Sequence, residues 1–329
     1  MSQTTLLTDS AVIDSPAIKT PDWREELQRD GYYVVKGAIP PERATQYRQQ
    51  TLDWLSSFGT ALNINDPSTW ITSNLPVQSK FNLFKHYAVS HERFMWEVRM
   101  EPGVVGAFAH LWGTEELLSS FDALNITLPN RIDKPRNESW EHIDQSPLRD
   151  GRCCVQGFVN LSRAGPEDGG LVVYPGSHNL VEEFFATQTE KRSWSESDFF
   201  PFSSQQLEWF KTRGCQPLKV CAEPGDLVLW DSRTIHYGGE PGPASQEIRS
   251  VIYVAYAPAS WAVPAALKIK TGIFERWGAT SHWPHTNIRA IDPKAMLPNG
   301  ERDPRDREEP LVKPILTDKL LKLAGVVSY

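Results

Sequence analysis

Between Phe121 and Pro258 the chain is cut into short apolar runs, each closed by Gly, Pro, Asn or Asp, and no other feature constrains its fold as tightly. Runs this short cannot form a long helical stripe, and their β-branched and aromatic content fits the strands of a β-rich barrel or sandwich. The clearest predicted strands are Asp122–Leu128, Arg152–Leu161, Gly170–Tyr174, Leu218–Val220, Asp226–Trp230 and Arg249–Tyr256. Val181–Arg213 is charged and aromatic without period-two alternation, so it is expected to be a helical or irregular insertion. N-terminal to this region, Pro21–Asp30 suits a helix and Gly31–Ile39 a first strand. Pro41 opens a predicted amphipathic helix reaching Phe58, and a second is expected over Val104–Trp112.

Hydrophobic residues make up 40% of the chain, enough for a large core. No repeat or shift of composition marks a second domain. Residues 21–329 are therefore expected to form one domain with its β core at about 121–258, behind a flexible leader over 1–20. That leader lacks the basic start and apolar run of a secretory signal. No apolar stretch approaches the roughly 20 residues needed to cross a bilayer, and the ending Val-Ser-Tyr is no peroxisomal address. A cytoplasmic protein away from membranes is the expectation. The formal charge of −7, without a run of Lys or Arg, argues against a nucleic-acid partner. Cys153, Cys154, Cys215 and Cys221 fit neither a disulfide framework nor a paired zinc motif and are expected to be thiols.

Within Trp140-Glu-His142-Ile-Asp144, the histidine and the aspartate stand two apart, so on an extended backbone both side chains project to one face and can reach one ion. Such a pair is common by chance, and two more distant elements of the chain give it weight. The stretch Glu223-Pro-Gly-Asp226 to Trp230, then Asp231 to His236, is a turn and a hairpin that deliver a distant histidine. Thirteen residues later Arg249 opens a strand, sharing a face with Val251 and Tyr253. A guanidinium turned into an apolar barrel is costly unless a carboxylate meets it, and a diacid cosubstrate can supply one. Two histidines and a carboxylate on one face of an iron leave the other face open, as non-haem Fe(II) oxygenases require.

This pattern resembles the phytanoyl-CoA dioxygenase family. The likeness extends through Trp140–Pro147, Cys154-Val-Gln-Gly157, Gly165–Val173, Pro175-Gly-Ser-His178 and Trp230–His236, and is closest to a fungal-type small-molecule branch of that family. It implies a mainly β chain with flanking helices (α+β), built on a double-stranded β-helix (jelly-roll, cupin-like) core. It also implies Fe(II) on His142, Asp144 and His236, and the cosubstrates 2-oxoglutarate, at Arg249, and O2. Asp144 departs from related halogenases, where a small residue leaves room for halide, so oxygenation or desaturation is expected.

Gln156 and Asn125 are candidates for holding cosubstrate or substrate, and Trp140 and Tyr237 for a substrate wall. His178 is expected to serve a turn, and His86, His91 and His110 to be ordinary. His282 and His285 are not expected to form a second metal site, since Pro284 interrupts any helix that would align them. Glu301–Glu309 is expected to be a solvated loop. The expected substrate is a small metabolite, plausible in specialised or amino-acid metabolism; a homodimer is one assembly the sequence allows. The competing readings are a redox-neutral jelly-roll isomerase or hydrolase, a silent binding barrel, and an acyl-CoA hydroxylase. An acyl-CoA calls for a basic phosphate groove, and only small clusters such as Arg131, Lys134 and Arg136 are visible.

Overall fold

The structure, a computed structural model, describes residues 22–189, 191 and 194–329; the leader expected over 1–20 lies outside them. Its strands are β1 (Tyr32–Val35), β2 (Leu83–Phe84), β3 (Leu117–Ser119), β4 (Leu124–Thr127), β5 (His142–Ile143), β6 (Val155–Asn160), β7 (Gly170–Val173), β8 (Phe200–Pro201), β9 (Leu218–Lys219), β10 (Leu227–Asp231), β11 (His236–Gly239) and β12 (Arg249–Pro258). The helices are α1 (Trp23–Asp30), α2 (Pro41–Ser56), α3 (Arg93–Arg99), α4 (Pro102–Trp112), α5 (Val181–Thr187), α6 (Ser204–Lys211), α7 (Pro264–Phe274) and α8 (Asp318–Ala324).

Every strand pairing is antiparallel. The larger sheet runs β1-β10-β6-β12-β4-β2, with β3 on β12, and the smaller runs β8-β5-β11-β7-β9. Alternation along the strands sorts the core into three layers. Val155, Val159, Leu227, Leu229, Ile252 and Val254 turn outward and pack with helical residues such as Trp54, Leu55 and Phe108. The opposite faces meet between the sheets, where Phe158, Val228, Trp230 and Val251 of the larger sheet touch Leu171 and Val173 of the smaller. The smaller sheet's outer face packs with α5 and α6 through Ile143, Ile235, Phe184 and Phe210. The result is the double-stranded β-helix, with a helical layer on each side.

The turn that feeds β10 is fixed by one carboxylate: Asp226 accepts from the backbone N–H of Gly37 at 2.9 Å and of Glu223 at 2.8 Å, and from Lys36 Nζ at 2.8 Å. Gly225 stands beside it at φ +93°, and a Cβ there would lie 2.2 Å from the Ile39 carbonyl oxygen. Gly225→Ala combines a backbone region L side chains avoid with a collision against main chain. We expect a loss of about 2 kcal/mol or more in urea unfolding; an unchanged midpoint would show that the turn tolerates a side chain.

The structure also corrects several expected boundaries. The first strand ends at Val35, because Lys36 and Gly37 turn to meet Asp226. Arg152–Cys154 stay outside β6, and Arg152 instead ion-pairs with the buried Asp231 at 2.9 Å. The insertion contains α5 and α6, the latter opened by a capping box of Ser203 and Gln206. Glu301–Glu309 is not simply solvated: Asp303 is 1% exposed, accepts from Tyr87 Oη at 2.7 Å and pairs with Arg305 at 2.9 Å. The sequence pattern missed this because the partners of Asp303 include a tyrosine far along the chain. Among the described residues no helix is long and apolar enough to cross a membrane.

Candidate metal centre

Cross-strand register brings the histidines together. His142 on β5 lies directly opposite His236 on β11, and the two rings are 4.3 Å apart. Asp144, just beyond β5, is placed by its backbone N–H donating to Ser232 O at 2.8 Å. In each histidine Nδ1 faces the carbonyl two residues upstream, Trp140 O and Thr234 O, both at 2.9 Å. With Nδ1 turned to those carbonyls, Nε2 is the ring nitrogen that faces Asp144 Oδ2, at 3.6 Å from His142 and 3.2 Å from His236. The three donor atoms lie within 4.8 Å of one another.

The electrostatics suit metal ligation. Burial, then the neighbouring His142, push the His236 imidazole below its usual value, favouring the neutral form with a lone pair to give. Burial alone would raise the Asp144 carboxyl, but His142 and His282, with hydrogen bonds from His142 and His236, hold it well below the usual carboxylate range. A carboxylate and two imidazoles form the ligand set of a divalent transition metal, and the carbonyls behind Nδ1 fix both rings.

Gln156, on the inward face of β6, donates from Nε2 to Asp144 Oδ2 at 2.9 Å. Its amide is therefore engaged with the carboxylate of the cluster, and the residue lines the cavity. Asn125 is also already engaged: its Oδ1 accepts from Arg249 Nη1 at 2.7 Å and Thr127 Oγ1 at 2.9 Å, and its Nδ2 donates to Phe81 O at 2.9 Å. Asn125 thereby orients Arg249, and it also lines the cavity. Arg249 points into the barrel, as strand alternation predicts, and is 6% exposed. Its guanidinium sits 5.2 Å from the Phe158 ring, and no carboxylate among the described residues pairs with it.

Tyr237 does not line the site. Being one residue from His236 on a strand, it projects to the opposite face and packs with the outer cluster of α5 and α6. Trp140 does line it, but as the middle of a stack: Phe81 lies 3.8 Å away on one side at an interplanar angle of 17°, and His142 4.2 Å away at 11°. Its faces are covered by these rings, so its edge is what remains for a ligand. Two further residues of the cavity escaped sequence reasoning, Phe199 from the insertion and His282 from the C-terminal segment. Neither stands at a ligand-like spacing from the metal motif.

The centre opens on a cavity of about 280 Å³, with His142, Asp144 and His236 on its wall and Arg249 in its lining. Comparisons with known proteins agree with this architecture. Ava biosynthesis cluster protein O of Aspergillus versicolor is 40% identical over 275 residues, covering 82% of this chain and 88% of that protein. A solved structure of the epimerase SnoN in complex with Fe3+, alpha ketoglutarate and nogalamycin RO shares the fold with a TM-score of 0.51 and 16% identity, covering 90% of this chain and 95% of that one. The hypothetical protein JW0805 of Escherichia coli gives a TM-score of 0.57 at 16% identity, over 81% of this chain and 76% of that one. The model of the phytanoyl-CoA dioxygenase (PhyH) family matches residues 27–245, and the chain belongs to that family.

Proposed function

We propose that the protein is an Fe(II)- and 2-oxoglutarate-dependent dioxygenase that oxidises a small organic metabolite by hydroxylation, desaturation or cyclisation. The observation that carries this is the His142, Asp144 and His236 set in the same cavity as Arg249, an inward cation with no carboxylate partner among the described residues. His142, Asp144 and His236 would hold the iron, which supplies the redox chemistry for activating O2 at the expense of 2-oxoglutarate. Arg249, steadied by Asn125, would take the distal carboxylate of that diacid. Gln156 keeps Asp144 oriented and ionised toward the ion. The relative in the Ava biosynthesis cluster supports a role in specialised metabolism.

A polyphosphate-bearing acyl-CoA fits less well. The cavity's cations are Lys85, ion-paired with Asp122 at 3.1 Å, and Arg249, while its lining also carries Asp144 and Glu240. A small metabolite is therefore the favoured substrate class.

Anaerobic addition of Fe(II) and 2-oxoglutarate should give the weak visible charge-transfer band of the chelated 2-oxo acid. Arg249→Ala should weaken 2-oxoglutarate binding about 10- to 100-fold, the loss of one charge-assisted contact. Metal affinity should remain nearly unchanged, since Arg249 touches none of the three ligands. An unaltered cosubstrate affinity would transfer this role to another basic residue.

A further inference from the structure

Four residues of the cavity lining carry a side-chain nitrogen buried without a hydrogen-bond partner: Trp230 Nε1, Arg249 Nε and Trp140 Nε1, which are donors, and His282 Nε2, which donates in one of its two tautomers. A buried donor left unpaired costs free energy, so a cavity that gathers several is built to receive acceptors. They fall into two pairs. Trp230 and Arg249 belong to the barrel interior, where Trp230 is 2% exposed and packs with Phe158 between the sheets. That pair suits the diacid cosubstrate. Trp140 and His282 are only half-buried and share the cavity lining with Phe199, which is 43% exposed and lies 5.0 Å from the His142 ring.

We propose that Trp140, His282 and Phe199 form the substrate subsite of the metal centre, and that it takes a flat, uncharged ring system carrying a carbonyl or amide oxygen. This assignment rests on the oxygenase reading and supplies its substrate class. Because Phe81 and His142 cover both faces of Trp140, it offers a ligand its indole edge, where Nε1–H is donor only. His282 lines the same cavity as His142, Asp144 and His236, so an oxygen held by His282 lies in the chamber of the metal ligands. Phe199 contributes an open aromatic face against which a planar ring can lie.

The subsite carries no lysine, arginine or carboxylate of its own and is held in place. The cavity's Lys85 is neutralised by Asp122, leaving no spare cation for an anionic substrate. Asp198, next to Phe199 and 7% exposed, accepts from Ser146 N at 3.0 Å and Arg149 Nε at 2.7 Å, and from Asn287 Nδ2. One buried carboxylate thereby ties the strap bearing Phe199 to the segment bearing His282. His282 also lies beyond residue 245, where the family match ends, so its part in this wall is not prescribed by the matched family pattern.

The test compares oxindole, a planar ring amide, with indane, a similar ring shape without an acceptor, by saturation-transfer NMR on the full chain. Oxindole should bind about three- to tenfold more tightly, the range of one or two neutral hydrogen bonds. His282→Leu and Trp140→Phe should each lower oxindole affinity by a factor in that range and leave indane unchanged, while Phe199→Ala weakens both probes alike. His282→Gln, which restores an N–H, should recover part of the preference. With Mn(II) bound, relaxation of the oxindole protons should place the probe beside the metal. Equal affinities for the two probes, a preference that survives both His282→Leu and Trp140→Phe, or tighter binding of anionic phenylacetate than of oxindole would overturn the assignment. Mn(II) binding is read separately by electron paramagnetic resonance. Its absence would sink the metal reading, while the contrast between oxindole and indane would still decide the subsite.

Discussion

His236→Ala is expected to abolish the metal-dependent properties of the protein while leaving its fold in place. The imidazole supplies one of only three protein donors, its Nε2 lies 3.2 Å from Asp144 Oδ2, and no other described histidine or carboxylate joins the cluster to replace it. Loss of an outer hydrogen-bond partner of a ligand typically costs 10- to 100-fold in metal affinity, and loss of a ligand should exceed about 100-fold. Two readouts separate this from unfolding. The charge-transfer band with Fe(II) and 2-oxoglutarate should vanish, and added metal should no longer raise the melting temperature. In the wild type, metal at about 100 times its dissociation constant should stabilise the fold by about 2.7 kcal/mol. His142→Ala and Asp144→Ala should behave the same way. Retention of the metal-induced shift in all three variants would place the centre elsewhere.

The clustering of these three residues was legible in the sequence because each position follows from strand geometry. His142 and Asp144 share a face through the two-residue period, His236 arrives on a strand after a turn marked by Pro-Gly, and alternation turns Arg249 inward with Val251 and Tyr253. The same parity shows why Tyr237 was misplaced: beside an inward His236 it must face outward. Gln156 and Asn125, candidates for holding cosubstrate or substrate, both fall in the cavity lining. Their hydrogen-bond partners, Asp144 and Arg249, depend on how β6, β4 and β12 align, and residue types alone do not encode that register. His282 was hidden for a different reason. It lies in an irregular segment after α7, where no periodicity predicts direction, and only tertiary packing brings it to the cavity.

Replacing iron with zinc separates the oxygenase from the redox-neutral metalloenzyme that the same ligands could serve. Zinc binds imidazole nitrogen and carboxylate oxygen readily, so His142, Asp144 and His236 should accept it, and the metal-induced rise in melting temperature should persist. Its chemistry is limited to that of a Lewis acid or water activator, because it has no accessible redox change. An oxygenase that couples O2 reduction to decarboxylation of 2-oxoglutarate must therefore stop. Succinate release, including the slow uncoupled release without substrate, should fall to the level of metal-free protein. Arg249 should still hold 2-oxoglutarate in the zinc form, so binding of the diacid without succinate formation distinguishes lost redox chemistry from a collapsed site. An isomerase or hydrolase built on these ligands would instead keep its turnover with zinc and under nitrogen. Conversion of an identified substrate by the zinc protein, at a rate comparable to the iron protein in air, would replace the oxygenase reading with that redox-neutral one.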